Sequence, residues 1–258
     1  MKIINADQIN DVKQMYLVFG EPGTGKTSAI KNLPGKTIYV SIDGTEGVLK
    51  KDHPQEMKVV VLEKEDVANI TGSFDLLLTT IERKYLNAVD NIVFDNISYL
   101  QDLVMNQIKG SAKDGRMDWL KMQELIRSWV IRIRSWNKRI YMTGWEEMVS
   151  AYDDSGNEVT LYDIKLNGKL RSSIKGLFTV VGRAFVYKDQ WLIQLAPDGR
   201  HLVKNQLDKR KFCRVDELFT DKEWTPQSEE KRAQQKANQD AKVVGIKEAT
   251  KTKKAGNE

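Results

Sequence analysis

The sequence "FGEPGTGKTS", residues Phe19–Ser28, decides how the rest of the chain is interpreted. It fits the pattern G-x-x-x-x-G-K-S/T, and the fixed positions are Gly20, Gly25, Lys26 and Thr27. The apolar run "MYLVF" precedes this loop, and the helix-compatible "TSAIKNL" follows it. Because a phosphate-binding loop joins a strand to a helix, the surrounding sequence supports the assignment.

Each residue type in this loop suits a nucleoside triphosphate. Glycines let backbone N–H groups converge on a phosphate, the lysine supplies positive charge to the β and γ oxygens, and the threonine hydroxyl can bind Mg²⁺. The sequence therefore predicts ATP and Mg²⁺ as cofactors. The predicted nucleotide-binding residues of the loop are Gly20, Glu21, Pro22, Gly23, Thr24, Gly25, Lys26, Thr27 and Ser28.

Composition limits the class of protein. The chain has 258 residues, of which 40% are hydrophobic and 30% charged, so it can bury one substantial core. The single cysteine, Cys213, cannot form an internal disulfide, and two histidines are too few to complete a structural zinc site. The net charge of +5 permits a polyanionic partner without requiring one.

Neither a membrane span nor a leader is expected. No apolar run reaches the roughly 18 residues of a membrane span. The start "MKIINADQIND" lacks the basic-then-apolar order of a signal peptide. We expect a cytoplasmic protein that does not contact membranes.

Apolar runs alternate with helical segments over the first part of the chain. The predicted strands are "MYLVF", "TIYVSI", "VVVL", "NIVF" and "RIYMT", which read as strands buried on both faces. The segment 118–137 carries an apolar stripe at helical spacing, formed by Trp119, Met122, Ile126, Trp129, Ile133 and Trp136. This alternation predicts an α/β fold with a mostly parallel sheet flanked by helices.

The later part of the chain has a different pattern. Alternating segments around "DDSGN" and around "PDG" predict two β-hairpins. From about Thr225 the sequence is nearly free of aromatic and large aliphatic residues, which predicts a disordered, lysine-rich tail. We therefore divide the chain into an ATPase domain, 1–224, and a tail, 225–258.

A second acidic element is expected beside the phosphate loop. In "NIVFDNISYL", Asp95 directly follows a predicted buried strand, where it could bind the magnesium ion. Hydrolysis also needs a group that orients or deprotonates water, and "VSIDGTEGV" offers Glu46 as first choice and Asp43 as second. Thr143, at the end of "RIYMT", is a candidate for sensing the γ-phosphate.

The ordered set "GEPGTGKT", "YVSIDGTEG", "IVFDN" and "RIYMTGW" resembles the RecA-type ATPase core. It is most similar to small phage-encoded RecA-like ATPases of the Sak type, which assist single-strand annealing and recombination. The resemblance covers roughly residues 13–214 and implies a RecA-like P-loop fold, ATP hydrolysis and Glu46 as the catalytic glutamate. It also implies a homo-oligomer in the host cytoplasm that works with a single-strand-binding protein or other phage replication and recombination proteins.

The resemblance further implies two loops that bind single-stranded DNA. The first corresponds to "NQIKGSAKDGRMDW" and the second to residues 146–175. Their cations are Lys109, Lys113, Arg116, Lys165, Lys169 and Arg171, and Tyr152 and Tyr162 could stack on bases. The lysines of the tail, including Lys247, Lys251, Lys253 and Lys254, could add nonspecific affinity for DNA.

A neighbouring subunit often completes the ATP site in RecA-like proteins. By resemblance, Lys204 is the basic residue that would act on the neighbouring subunit, and Arg183, Lys209 and Arg210 are alternatives. Two other classes stay open. One is an AAA+ helicase loader, which would carry a helical lid where this sequence predicts hairpins, and the other is a partner-driven ATPase switch.

Overall fold

The structure is a computed structural model that describes residues 5, 14–51, 53–54, 56–111, 114–153, 155–232 and 234–235. The described residues fall into two units, of which the first ends at Lys222 and the second begins at Glu223. Within the first unit, ten strands form one sheet flanked by helices.

The strands are β1 (Met15–Gly20), β2 (Thr37–Ser41), β3 (Met57–Val61), β4 (Asn91–Asp95), β5 (Arg139–Tyr152), β6 (Glu158–Ile164), β7 (Val180–Tyr187), β8 (Gln190–Gln194), β9 (Lys204–Asn205) and β10 (Phe212–Arg214). The helices are α1 (Lys64–Ala68), α2 (Ile70–Thr80), α3 (Ile97–Ile108), α4 (Gly115–Ser135) and α5 (Gly168–Leu177). The segment after the phosphate loop, Thr27–Asn32, forms 3₁₀ turns.

The strand order is β10-β8-β7-β1-β5-β4-β2-β3, with β6 paired to β5 and β9 paired to β7. The six strands from β7 to β3 in this order pair in parallel, and β8, β10, β6 and β9 add antiparallel pairs. The predicted fold class is therefore confirmed: an α/β P-loop fold whose later strands form hairpins.

The central strands are buried because both faces of the sheet are covered. Along β1, the side chains of Met15, Leu17 and Phe19 pack into one apolar cluster, and those of Tyr16 and Val18 pack into the other. Successive side chains of a strand point to opposite faces, so a strand buried on both faces reads as a continuous apolar run. This explains why "MYLVF" could be recognised from the sequence.

The prediction for "VVVL" is wrong about burial. The strand forms, as β3, but Val59 and Val61 are 43% and 46% exposed. The reason is the position of β3 at the edge of the sheet, where it pairs with β2. β-branched residues suit edge strands as well as central ones, so composition did not distinguish the two.

The hairpin predicted around "DDSGN" forms as β5 and β6, but the one predicted around "PDG" does not. The strand β8 instead pairs with the preceding strand, β7, through a two-residue turn at Lys188 and Asp189. Both turn residues have positive φ, 47° and 61°. Two consecutive residues with positive φ form a tight turn whose twist matches that of a hairpin. The strands therefore pair at this turn and not at "PDG".

The stripe predicted on α4 is buried from Met122 onward, but Trp119 is 42% exposed. Its neighbours Met117 and Leu120 are also exposed, by 47% and 43%. The first turns of α4 therefore extend beyond the core, and the prediction that Trp119 is a core residue is wrong.

The second unit is described only for residues 223–232 and 234–235. Thr225 and Ser228 exchange backbone-to-side-chain hydrogen bonds of 2.9 and 3.0 Å, and residues 226–232 are helical. The lysines proposed to contact DNA in the tail lie outside the described residues. Disorder of the tail stays a prediction. Over the part of the chain that is described, no helix combines the length and apolarity needed to cross a bilayer.

The core face of α4 gives a stability prediction. Ile126 is fully buried, so Ile126→Ala should lower the free energy of unfolding by about 3 kcal/mol through lost packing and a cavity. Ile131 on the same helix is 47% exposed, and Ile131→Ala should change stability by less than about 0.5 kcal/mol. Chemical denaturation followed by circular dichroism measures both. Equal losses in the two variants would contradict the described packing of α4.

Candidate active site

A cavity of about 750 Å³ lies at the carboxyl end of the parallel strands. Its lining includes the phosphate loop, Asp43, Asp95, Trp145 and Trp191. Ligand pockets for small molecules typically have volumes of about 300–1,000 Å³, so a nucleotide fits by size. Crevices at this edge of an open α/β sheet are the usual ligand sites.

The phosphate loop adopts a backbone that requires glycine. Gly23 and Gly25 have φ values of 79° and 87°, in the left-handed region that other residues rarely adopt. Gly20 lies against β7, where an added Cβ would come within 2.3 Å of the carbonyl oxygen of Ala184. The loop "GEPGTGKT" therefore depends on its glycines for conformation as well as for access to phosphate.

The Lys26 side chain folds back over the loop. Its Nζ donates to the carbonyl oxygens of Gly20 and Glu21, both at 2.8 Å, and the residue is buried. Burial lowers the pKa of Lys26, and the nearby carboxylates of Asp95 and Asp43 oppose that shift. A triphosphate would give this poorly hydrated ammonium group charged acceptors in place of two neutral carbonyls.

The Asp95 carboxylate accepts hydrogen bonds from several hydroxyl groups around the cavity. Its Oδ2 accepts hydrogen bonds from Thr27 Oγ1 at 2.7 Å and from Tyr39 Oη at 3.3 Å, and its Oδ1 accepts one from Thr143 Oγ1. Burial raises the pKa of Asp95, the Asp43 charge adds to that rise, and the Thr143 and Thr27 hydroxyl groups counteract it. The structure thus brings Asp95 and Thr27 together, as their predicted joint role requires.

Thr27 and Asp95 fit a magnesium site. A hydroxyl and a carboxylate oxygen 2.7 Å apart are hard ligands of the kind that Mg²⁺ prefers. Among the described residues, no group of three or more histidine, cysteine or acidic side chains could hold a metal unaided. The remaining ligands would come from nucleotide phosphates and water, as is usual for Mg²⁺.

The two candidate bases are placed differently. Asp43 lines the cavity, and its carboxylate accepts from Asn96 Nδ2 at 2.6 Å and from Thr45 Oγ1 at 2.7 Å. The Glu46 carboxylate accepts from the hydroxyl of Ser41 at 2.5 Å. Neither role is tested by this arrangement, but the geometry favours Asp43.

Thr143 is fully buried, and its hydroxyl is directed at Asp95. Two residues further along β5, Trp145 lines the cavity and packs against Tyr99 of α3, with ring centroids 5.9 Å apart. In the segment "RIYMTGW", a role was predicted for Thr143 but not for this tryptophan. Its position two residues after Thr143, on the same side of the strand, is the signal that could have identified it.

Residues from the late strands also reach the cavity and were not anticipated. They are Trp191 of β8, Arg214 at the end of β10, and Val215 and Asp216, which follow it. These residues are far from the phosphate loop along the chain, so no pattern in the sequence predicts that they line the same cavity.

The four basic residues considered for a neighbouring subunit are not equivalent. Arg183 pairs with the nearly buried carboxylate of Glu146 at 2.5 Å, and Arg210 is buried and pairs with Asp208 at 2.9 Å. Lys209 is exposed, and Lys204 on β9 is partly buried. Action on a neighbour stays a prediction, for which Lys209 and Lys204 are better placed than the two arginines.

The second predicted DNA loop holds most of its cations in ion pairs. Arg171 pairs with Glu147 at 2.5 Å, and Lys165 lies 3.7 Å from Asp102, while Lys169 is exposed. Tyr162 stacks on His201 with ring centroids 5.1 Å apart, whereas Tyr152 is 77% exposed. In the first predicted loop, Lys113 lies outside the described residues.

Comparison with known proteins agrees with this site. A family model described as an AAA domain matches residues 12–207, about three quarters of the chain. No curated protein matches the sequence. The matched segment contains the phosphate loop, Asp43, Asp95 and Thr143, so the family match and the cavity concern the same part of the molecule.

The placement of the two carboxylates gives the second prediction. Asp43→Asn should lower ATP turnover by about 100-fold or more while leaving ATP binding intact, because it removes the carboxylate that lines the cavity. Glu46→Gln, the matched control, should keep turnover within about tenfold of the wild type. Steady-state phosphate release and equilibrium ATP binding measure the two effects. A larger loss of turnover in Glu46→Gln would instead assign the base to Glu46.

Proposed function

The chain belongs to this family of AAA domains, and from that premise we propose that it is a magnesium-dependent ATPase whose turnover is stimulated by single-stranded DNA. The nucleotide-binding part of the proposal is supported by the loop, Lys26, Thr27 and Asp95 at one cavity. The observation that carries the DNA part is the exposed Trp119, which follows the exposed Arg116 by three residues at the start of α4.

The residues of the cavity divide the work of hydrolysis. The backbone N–H groups of the loop and the Lys26 ammonium bind the phosphates, and Thr27 and Asp95 would hold the magnesium ion. When bound, magnesium neutralises negative charge on the phosphate oxygens. Asp43 is positioned at the cavity wall to orient the attacking water through its carboxylate.

The described residues 109–111 and 114–121, which we call the α3–α4 corner, carry the cations and the exposed aromatic ring expected of a single-strand binding surface. Arg116 and Trp119 are three residues apart on α4 and so lie on one face of the helix. The Arg116 side chain is 91% exposed and is paired with Asp114. Exposed ion pairs contribute little, so this guanidinium group can exchange the carboxylate for a DNA phosphate at small cost.

The α3–α4 corner is held by hydrogen bonds to a buried carboxylate of α4. The buried carboxylate of Asp118 accepts from the backbone N–H of Gly110 at 2.8 Å and from the hydroxyl of Ser111 at 2.9 Å. Lys121 reaches the same Ser111 hydroxyl at 3.3 Å. Because Gly110 and Ser111 are bonded to Asp118 of α4, Trp119 can be presented for base stacking with less loss of conformational entropy on binding.

Helix α3 connects this corner to the cavity. It begins at Ile97, two residues after Asp95, and its Tyr99 packs against Trp145 of the cavity wall. Near its other end, Gln107 hydrogen-bonds Thr71 at the start of α2. A strand bound at the corner could therefore shift Asp95 or Trp145 through one rigid helix.

The proposal also covers the cellular process in which the ATPase acts. An ATPase that responds to single strands suits recombination, annealing or replication, as the resemblance to phage proteins implies. We further propose that the chain forms a homo-oligomer in which Lys209 or Lys204 approaches the ATP site of a neighbour. A helicase loader or a partner-driven switch is the alternative, and it would not require stacking at Trp119.

The third prediction concerns stimulation by DNA. Single-stranded oligothymidylate should raise the steady-state ATPase rate of the full chain at low salt, and the effect should fade as salt rises, because phosphate contacts release counterions. Trp119→Ala should weaken DNA affinity about tenfold and leave the rate without DNA unchanged, since base stacking on an aromatic is worth about 1–3 kcal/mol. Half-saturating DNA concentrations measure the effect.

Two controls define what the result means. Leu76→Ala removes a side chain that is 67% exposed on α2 and should leave stimulation unchanged. Tyr152→Ala tests the other predicted DNA segment. An effect of Tyr152→Ala but not of Trp119→Ala would move the contact to the β5–β6 hairpin. Turnover that ignores single strands, duplexes and forks alike would contradict the DNA proposal and favour a partner-driven switch.

A further inference from the structure

The cavity extends to both sides of the phosphate loop, and its two ends differ in chemistry. Asp95, on β4, and Asp43, just after β2, form one end, while Trp191, on β8, lies at the other. In the strand order, β4 and β2 lie on one side of β1, and β8 and β10 lie on the other. We propose that the Trp191 end is the base-binding subsite, in which the indole ring stacks on the purine of a nucleoside triphosphate. This inference deepens the proposed function and rests on it.

The orientation follows from the shape of the ligand. A nucleoside triphosphate carries its base at one end and its γ-phosphate at the other. Lys26 would bind the phosphates, and Thr27 and Asp95 would hold the magnesium ion. The part of the cavity that remains for the base is the part beyond the loop on the β8 side, where Trp191 and Val215 lie.

Trp191 is held in place but is not covered. Its Nε1–H donates to the carbonyl oxygen of Gly23 at 3.0 Å, which fixes the ring relative to the phosphate loop. The ring also packs so closely on the loop that a Cβ added at Gly25 would lie 3.3 Å from Trp191 Cδ1. The side chain nevertheless stays 49% exposed and lines the cavity. A large aromatic ring that is oriented and partly exposed inside a pocket is a preorganised stacking surface.

The neighbouring residues complete the subsite. Val215 is buried and approaches Gly25 from the same side, with its methyl groups 3.3 and 3.4 Å from the position of an added Cβ. Arg214 and Asp216 line the cavity and pair with each other at 3.2 Å, so polar groups border the apolar wall. This combination of one aromatic face, one aliphatic contact and a polar rim suits a planar heterocycle joined to a ribose.

The Trp191 ring on the cavity wall predicts a preference for purine over pyrimidine nucleotides. A two-ring purine covers more of an indole than a one-ring pyrimidine, so Trp191 should favour ATP over CTP. Stacking alone does not separate adenine from guanine, because both have two rings. Inorganic tripolyphosphate has no base, so its binding depends on the phosphate end alone.

The test measures equilibrium binding of ATP, CTP and inorganic tripolyphosphate, each with Mg²⁺, to the wild type, Trp191→Ala and Trp191→Phe. The wild type should bind ATP more tightly than CTP. Trp191→Ala should bind ATP about tenfold more weakly and lose most of the preference over CTP, while its affinity for tripolyphosphate stays within about twofold. Trp191→Phe should retain most of the affinity for ATP. Leu76→Ala is the control, because Leu76 is 67% exposed on α2, does not line the cavity and should change none of the three.

Intrinsic fluorescence gives a readout that does not depend on an alanine variant folding. ATP should quench the tryptophan emission of the wild type, tripolyphosphate should not, and Trp191→Phe should lose the quenching while five tryptophans remain of the six.

Four outcomes would overturn the proposal, each in a different way. Unchanged ATP affinity in Trp191→Ala would place the base elsewhere. An equal loss of ATP and tripolyphosphate affinity would show that Trp191 only supports the phosphate loop through Gly23. A wild type that binds tripolyphosphate and ATP equally would remove the base subsite but leave the phosphate site, whereas one that binds none of the three ligands would also refute the proposed ATPase.

Discussion

The carboxylate of Asp95 is the interaction on which the rest of the site depends. It lies buried at the end of β4 and accepts hydroxyl groups from Thr27 after the phosphate loop, Tyr39 of β2 and Thr143 of β5. A buried carboxylate is costly unless its oxygens are hydrogen-bonded. These hydroxyl groups therefore join three neighbouring strands and the loop around one carboxylate at the wall of the cavity.

The order of the strands turns this local cluster into an extended binding site. Although β5 lies between β1 and β4, Thr27 after the loop reaches Asp95 directly, and Thr143 of the intervening strand bonds the same carboxylate. On the far side of β1, the hairpin of β7 and β8 brings Trp191 against the loop. One open sheet thus places an acidic end, with Asp43 and Asp95, and an aromatic end, with Trp191, on opposite sides of the same phosphate loop.

Local patterns in the sequence predicted most of the phosphate end. The loop, the four central strands β1, β2, β4 and β5, and the position of Asp95 each follow from a short contiguous segment, in which residue type reflects a local requirement such as positive φ or burial on both faces. Which of the two carboxylates after β2 lines the cavity could not be predicted in this way. Whether Asp43 or Glu46 faces the cavity depends on how the turn after Ser41 is held, through Asn96 and the Ser41 hydroxyl. The aromatic end was missed for a stronger reason: the hydrogen bond between Trp191 and Gly23 joins residues 168 positions apart. The turn at Lys188 and Asp189 decides where β8 lies. It contains no glycine, so the residue types do not mark it as a turn with positive φ.

The most direct test of the central claim is a calorimetric titration of the full chain with ATP, in Mg²⁺ and again in EDTA. If the loop, Thr27 and Asp95 form one magnesium-nucleotide site, ATP should bind with a single-site isotherm in Mg²⁺, and affinity should fall when the metal is removed, because the phosphates and Asp95 then repel each other. Binding that is indifferent to Mg²⁺, or no binding in either condition, would contradict the account.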